Sequence, residues 1–197
     1  MDSNEEIGTL LSDIESEQID WLWEKRIPRG KLITLDGDPG LGKSLITLDL
    51  AARITTGRPM PDGTPGVQGS VVLIAPEDGV TDTIKPRVEA AGGDPSHIRL
   101  LDVIKSTSRK TGETSLSPFT LSEHLLELVK TIKQTRPILV IIDPLMAVLG
   151  PHLSAYYDQK IRQTFSVLAL FAQTTNCTVL IVRHLNKGSS ENPLYRG

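Results

Sequence analysis

The chain has 197 residues, 39% of them hydrophobic and 23% charged, with a formal net charge of −3. That length and balance suit one α/β domain with its own core, and the charge excludes a polybasic protein that holds nucleic acid by bulk electrostatics, though not a local basic loop. A single cysteine, Cys177, excludes an internal disulfide framework, and no apolar run approaches membrane-spanning length, so a soluble, cytoplasmic chain is expected.

Residues 1–28 read as an acidic arm ahead of a core at 29–197. Ile7, Leu10, Leu11 and Ile14 recur at helical spacing and predict a short amphipathic helix. Trp21, Leu22, Trp23, Ile27 and Pro28 form an apolar strap for the core. Packing is the ordinary use of such tryptophans, and stacking on an adenine ring is the alternative. Residues 31–35 predict a first strand, 37–42 a loop, and 43–56 a helix whose buried face is drawn from Leu45, Ile46, Leu48, Leu50, Ala51 and Ile54, stopped by Gly57. A Pro- and Gly-rich loop follows at 58–69.

The run 70–75 is apolar almost throughout, as a strand buried on both faces must be. Residues 83–91 predict a helix stopped by Gly92 and Gly93, and 97–103 a weaker strand. The Ser- and Thr-rich stretch 105–118 reads as a loop with a short edge hairpin. Residues 121–134 predict a helix capped by Ser122, 137–142 a central strand, 155–175 a segment containing another helix, and 178–182 a last strand. Cys177 opens that run and is expected to be buried. Strands alternating with helices predict a mostly parallel sheet with helices on both faces.

Gly37, Asp38, Pro39, Gly40, Leu41, Gly42, Lys43 and Ser44 fit G-x-x-x-x-G-K-[ST] without a mismatch, between a predicted strand and a predicted helix. Glycines at 37, 40 and 42 permit positive φ and close backbone approach. Successive N–H groups, those of the helix entrance at Leu45 included, then form a nest for a polyphosphate. Lys43 adds a charge for the β- and γ-phosphates of ATP, and the Ser44 hydroxyl suits Mg²⁺, a hard cation that takes oxygen ligands.

Other candidates lie where predicted strands end, the place where open α/β sheets bind ligands. Asp143 follows the strand 137–142 and is expected to hold Mg²⁺ beside Ser44. Glu77 and Asp78 follow the strand 70–75. Glu77 is expected to accept a proton from the attacking water, with Asp78 as a neighbour. His184 follows the last strand and is placed to hydrogen-bond the γ-phosphate. Arg183 and Lys187 are candidates for contact with a neighbouring subunit or nucleic acid.

The loop preceded by Ile27-Pro-Arg-Gly30, the run Ala75-Pro-Glu-Asp78, the run Ile141-Ile-Asp-Pro144 and the run Arg183-His-Leu-Asn-Lys187 together resemble the RecA-like ATPases. The resemblance is to the AAA branch near plasmid and replicative helicases of the RepA and DnaB kind. It covers nearly all of the chain after about Trp21. It implies a RecA-like P-loop NTPase fold, Glu77 as the catalytic glutamate, Asp143 as the aspartate on the Mg²⁺ side and His184 as the γ-phosphate sensor. It also implies a DNA-facing loop starting at Leu194-Tyr-Arg-Gly197, single-stranded DNA as partner, and a hexameric ring with ATP between subunits. Such cores continue into further strands that carry a trans-acting finger, so an end at Gly197 predicts a C-terminally truncated core. An ATP-dependent switch or scaffold is a second reading of the same residues. A small-molecule phosphotransferase, with Arg109 and Lys110 on a lid, is a third, which a water-activating Glu77 disfavours.

Overall fold

The computed structural model describes residues 8–107, 114–149 and 157–184. Its elements in chain order begin with β1 (Trp21–Trp23), β2 (Ile27–Pro28), β3 (Leu32–Gly37), α1 (Lys43–Thr56) and β4 (Val71–Ile74). A π-helical turn at Val80–Ile84 runs into α2 (Lys85–Ala90). Then come β5 (Ile98–Leu100), β6 (Val103–Thr107), β7 (Thr114–Pro118), α3 (Leu121–Thr135), β8 (Leu139–Ile142), α4 (Leu145–Val148), α5 (Tyr157–Thr175) and β9 (Thr178–His184).

The main sheet has five strands in the order β3-β9-β8-β4-β5, and every pairing in it is parallel. The near-continuous apolar runs of β4 and β8 are buried at every position, as strands covered on both faces must be. Successive side chains alternate between two cores. Val71, Leu73, Leu139, Ile141 and Leu180 pack with Leu48, Ala51 and Ile54 of α1 and Val88 of α2. Val72, Ile74, Val140, Ile142, Val179 and Ile181 pack with Leu128 and Ile132 of α3 and Leu168 and Ala172 of α5. Each fully buried Leu or Ile contributes about 1.5–3 kcal/mol. The expected fold, a parallel sheet between two helical layers of the RecA-like P-loop type, is the one observed.

Several local expectations are corrected. Among residues 8–20 there is a single 3-10 turn, Leu11–Asp13, rather than an α-helix. Leu10, Leu11 and Ile14 stay exposed because no described element packs against them, and Ile7 lies outside the described residues. Leu45 and Ile46 are also exposed, so the buried face of α1 starts at Thr47 and Leu48. The helix expected at 83–91 is shorter and enters through the π turn. The strand expected at 97–103 splits: β5 joins the sheet, while β6 pairs antiparallel with β7 as a separate ribbon. Ser122 is not the cap of α3. The N-cap residue is Thr120, whose backbone N–H donates to His124 Nδ1 at 3.0 Å.

The strap does lie on the core. Leu22 and Ile27 are buried, and the Trp23 indole donates from Nε1 to Asp62 Oδ2 at 2.8 Å, tying the arm to the Pro- and Gly-rich loop. The hairpin β1–β2 leads into the first residue of β3, whereas the phosphate loop leaves its last. The six residues of β3 set the two about 20 Å apart. The tryptophans therefore sit at the wrong end of the sheet to stack on a nucleotide base.

Candidate active site

The carboxyl ends of the strands carry the candidate residues. Gly37 ends β3, Asp143 follows β8, Glu77 and Asp78 follow β4, and His184 ends β9. Because β9 lies between β3 and β8, His184 is brought alongside Gly37 in register, with Asp143 beyond the next strand.

The loop between β3 and α1 has the conformation its glycines allow. Gly40 and Gly42 take φ of 82° and 79°, which a side chain would strain. Gly37 does not: it is an ordinary strand residue, so the expectation of positive φ there is corrected. Helix α1 opens at Gly42 with no side-chain cap. Its first-turn N–H groups, at Lys43, Ser44 and Leu45, therefore face the loop with the positive end of the helix dipole behind them. The Leu45 side chain itself points outward, exposed, as does Leu41.

Lys43 is buried, and its Nζ donates to Gly37 O at 2.7 Å and Asp38 O at 2.8 Å. An ammonium has three donors, so one remains for an anion in the nest. Asp143 is 6% exposed. Burial pushes its carboxyl above the ordinary range, opposed by hydrogen bonds from Thr47 and Ser44, reinforced by the Asp78 charge and eased by His184. Those influences place Ser44, Thr47, Asp78 and His184 around one carboxylate. His184 is half-buried, and its Nδ1 is shielded from solvent with no hydrogen-bond partner among the described residues.

Glu77 is exposed at the mouth of the site. Its neighbour Asp78 is the one held in place, by Arg87 Nη1 at 3.8 Å. Thr47 was not anticipated. It is fully buried, and its Oγ1 lies 3.0 Å from both Asp143 Oδ2 and Ser44 O, joining helix α1 to the end of β8. A hydroxyl on the apolar face of α1, three residues after Ser44, is the signal that marks it. Lys187, Asn186, Arg109, Lys110 and the stretch 194–197 lie outside the described residues.

An uncapped helix entrance and a buried lysine fit a polyphosphate. A serine hydroxyl beside a buried carboxylate fits Mg²⁺. Among the described residues no cluster of three or more His, Cys, Asp or Glu could cage a metal alone. That suits an ion that keeps its waters and takes substrate phosphate oxygens.

The AAA domain family profile matches residues 6–190. The chain belongs to the AAA domain family. It is also similar to proteins named DNA repair protein RadA. With that of Bacillus subtilis it is 23% identical over 167 residues, 83% of this chain and 30% of the relative. With that of Halalkalibacterium halodurans it is 26% identical over 160 residues, 80% of this chain and 28% of the relative. With that of Streptococcus pyogenes serotype M1 it is 22% identical over 161 residues, again 80% and 28%. The chain thus spans less than a third of the length of the curated relatives it matches. Together with the sheet order, these likenesses support the RecA-like P-loop ATPase family as its broad class. Among the described residues no helix is long and apolar enough to cross a membrane.

Proposed function

We propose that this chain binds Mg-ATP on the loop from Gly37 to Ser44 and hydrolyses it, and that hydrolysis is coupled to single-stranded DNA in replication or recombination. The observation that carries the reading is the gathering of Lys43, Ser44, Asp143 and His184 at one helix entrance. The name DNA repair protein borne by the relatives supports the DNA coupling. The helicase-like form of that coupling, the hexameric assembly and the cytoplasmic location belong to the same proposal, through the resemblance drawn from sequence.

In this reading the first-turn N–H groups of α1 and the Lys43 ammonium neutralise the phosphate tail, and Lys43 follows the charge that grows on the transferred phosphoryl oxygens. Ser44 and Asp143 would hold Mg²⁺, with Thr47 fixing Asp143 Oδ2. The ion supplies Lewis-acid neutralisation of the phosphate oxygens when bound. Glu77 orients water and accepts its proton, a role that suits a carboxylate at the mouth of the site. His184, at the end of β9 beside Gly37, hydrogen-bonds the γ-phosphate.

The test is ATP turnover with and without single-stranded DNA. Lys43→Ala is expected to lose nucleotide affinity. Glu77→Gln is expected to bind ATP yet turn over about 10²–10⁴ times more slowly, the usual contribution of a general base. Turnover of Glu77→Gln at the unsubstituted rate removes that residue from its role. Turnover indifferent to DNA favours a nucleotide-dependent switch.

A further inference from the structure

The last two register pairs of β3 and β9 are Asp36 with Arg183 and Gly37 with His184. The Arg183 guanidinium donates from Nε to Asp36 Oδ1 and from Nη2 to Asp36 Oδ2, both at 2.8 Å. This fork-on-fork bridge fixes both planes. Each side chain is about one-third exposed, 35% for Arg183 and 33% for Asp36, and such pairs add little to stability. Its location gives it another use. Asp36 immediately precedes Gly37, whose carbonyl receives Lys43 Nζ at 2.7 Å. The Arg183 bond chiefly, then a bond donated by the Thr34 hydroxyl at 3.3 Å and least the Lys43 charge, hold the Asp36 carboxyl below its ordinary range against its partial burial. Asp36 is therefore a carboxylate within electrostatic reach of the lysine that a phosphate must engage.

We propose that Arg183 is a positioning residue of the phosphate site: by occupying both oxygens of Asp36 it keeps that carboxylate off Lys43 and leaves the ammonium to the phosphates. This rests on the nucleotide reading of the loop given above. The bridge also locks the residue before His184 to the residue before Gly37, so the loop and the histidine keep one register.

A purely structural ion pair and this screening role differ in symmetry. Losing a merely structural pair loosens the junction of β3 and β9 whichever partner is removed, and both single variants then weaken binding. Under screening, Arg183→Gln releases a carboxylate that competes for Lys43, whereas Asp36→Asn releases only a cation. The experiment is calorimetric titration of the chain with Mg-ATP at low and high salt, with circular dichroism checking the fold of each variant. Arg183→Gln is expected to weaken binding about fivefold at low salt, an effect that shrinks as salt screens the freed carboxylate. Asp36→Asn should stay within about twofold of the unsubstituted chain, and the double variant should return to the Asp36→Asn value. Arg183→Lys, which keeps the charge without the fork, should fall between. Unchanged binding in Arg183→Gln, equal losses in both single variants, or a double variant as weak as Arg183→Gln overturns the screening role alone. Folded, unsubstituted chain that takes up no Mg-ATP overturns the nucleotide reading with it.

Discussion

Thr47→Val removes one hydroxyl and little volume from a fully buried position. The Thr47 proton is shared between Asp143 Oδ2 and Ser44 O, each 3.0 Å away. The Ser44 carbonyl keeps its place in the helix ladder without it, so the loss falls on the carboxylate. Hydrogen bonds to charged groups contribute about 1.5–3 kcal/mol, and Asp143, left with the Ser44 hydroxyl, loses one such bond. With a slope near 2 kcal/mol per molar urea, a loss of about 2 kcal/mol lowers the unfolding midpoint by about 1 M at neutral pH. Thr47→Ser keeps the donor and loses one methyl group, about 0.8 kcal/mol, so its midpoint should fall less than half as far. Tryptophan fluorescence through a urea titration reads the stability of all three proteins. A magnesium titration of ATP binding reads the site, because an unheld Asp143 should require more of the ion. The reasoning fails if Thr47→Val is as stable as the parent, or if Thr47→Ser loses as much as Thr47→Val.

Asp143 gives a pH test. Its carboxyl is raised by burial above the ordinary range, so its contribution to stability is fully present below about pH 4 and is lost as pH rises through the raised folded value. Asp143→Asn cannot ionise and should melt higher than the parent at neutral pH, with the difference vanishing near pH 4; a difference that stays constant with pH contradicts this. Burial pushes the Cys177 thiol up to about 12, so an aromatic disulfide reagent at pH 8 should label the native chain about a thousandfold more slowly than the urea-unfolded chain, and comparable rates would disprove its burial. A Cβ on Gly93 would meet Ala52 Cα at 2.7 Å and Val88 Cγ1 at 2.9 Å. Gly93→Ala should therefore push α1 and α2 apart at a cost of about 2 kcal/mol, lowering the melting temperature by about 6 °C, and an unchanged melt would show that the junction yields freely.

The loop between β3 and α1 was legible because its pattern is local: glycines, a lysine and a hydroxyl fall within eight consecutive residues, and Gly40 and Gly42 take the positive φ read for them. The strands β4 and β8 were legible because burial on both faces leaves nothing but apolar side chains. What escaped depends on distant partners. Thr47 is one polar residue in a helix until Asp143, 96 positions later, comes within 3.0 Å of it. Asp36 and Arg183 read as ordinary charges until parallel pairing of β3 with β9 sets them side by side. The arm went wrong for the opposite reason, since Leu10, Leu11 and Ile14 have helical spacing but no surface to pack on. The ion pair of Asp78 with Arg87 was equally hidden, since nine positions separate the two in sequence.

The sheet order makes the candidate site depend on a strand far along the sequence from the loop it holds. Among the described residues, β3 touches the rest of the main sheet only through β9, the last of the described strands. A nascent polypeptide carrying everything up to Asn176 has made the cradle and the acid it must face, yet nothing zips them together. A lesion in β9 is therefore expected to unhitch the loop from Asp143 while leaving the loop's own residues untouched.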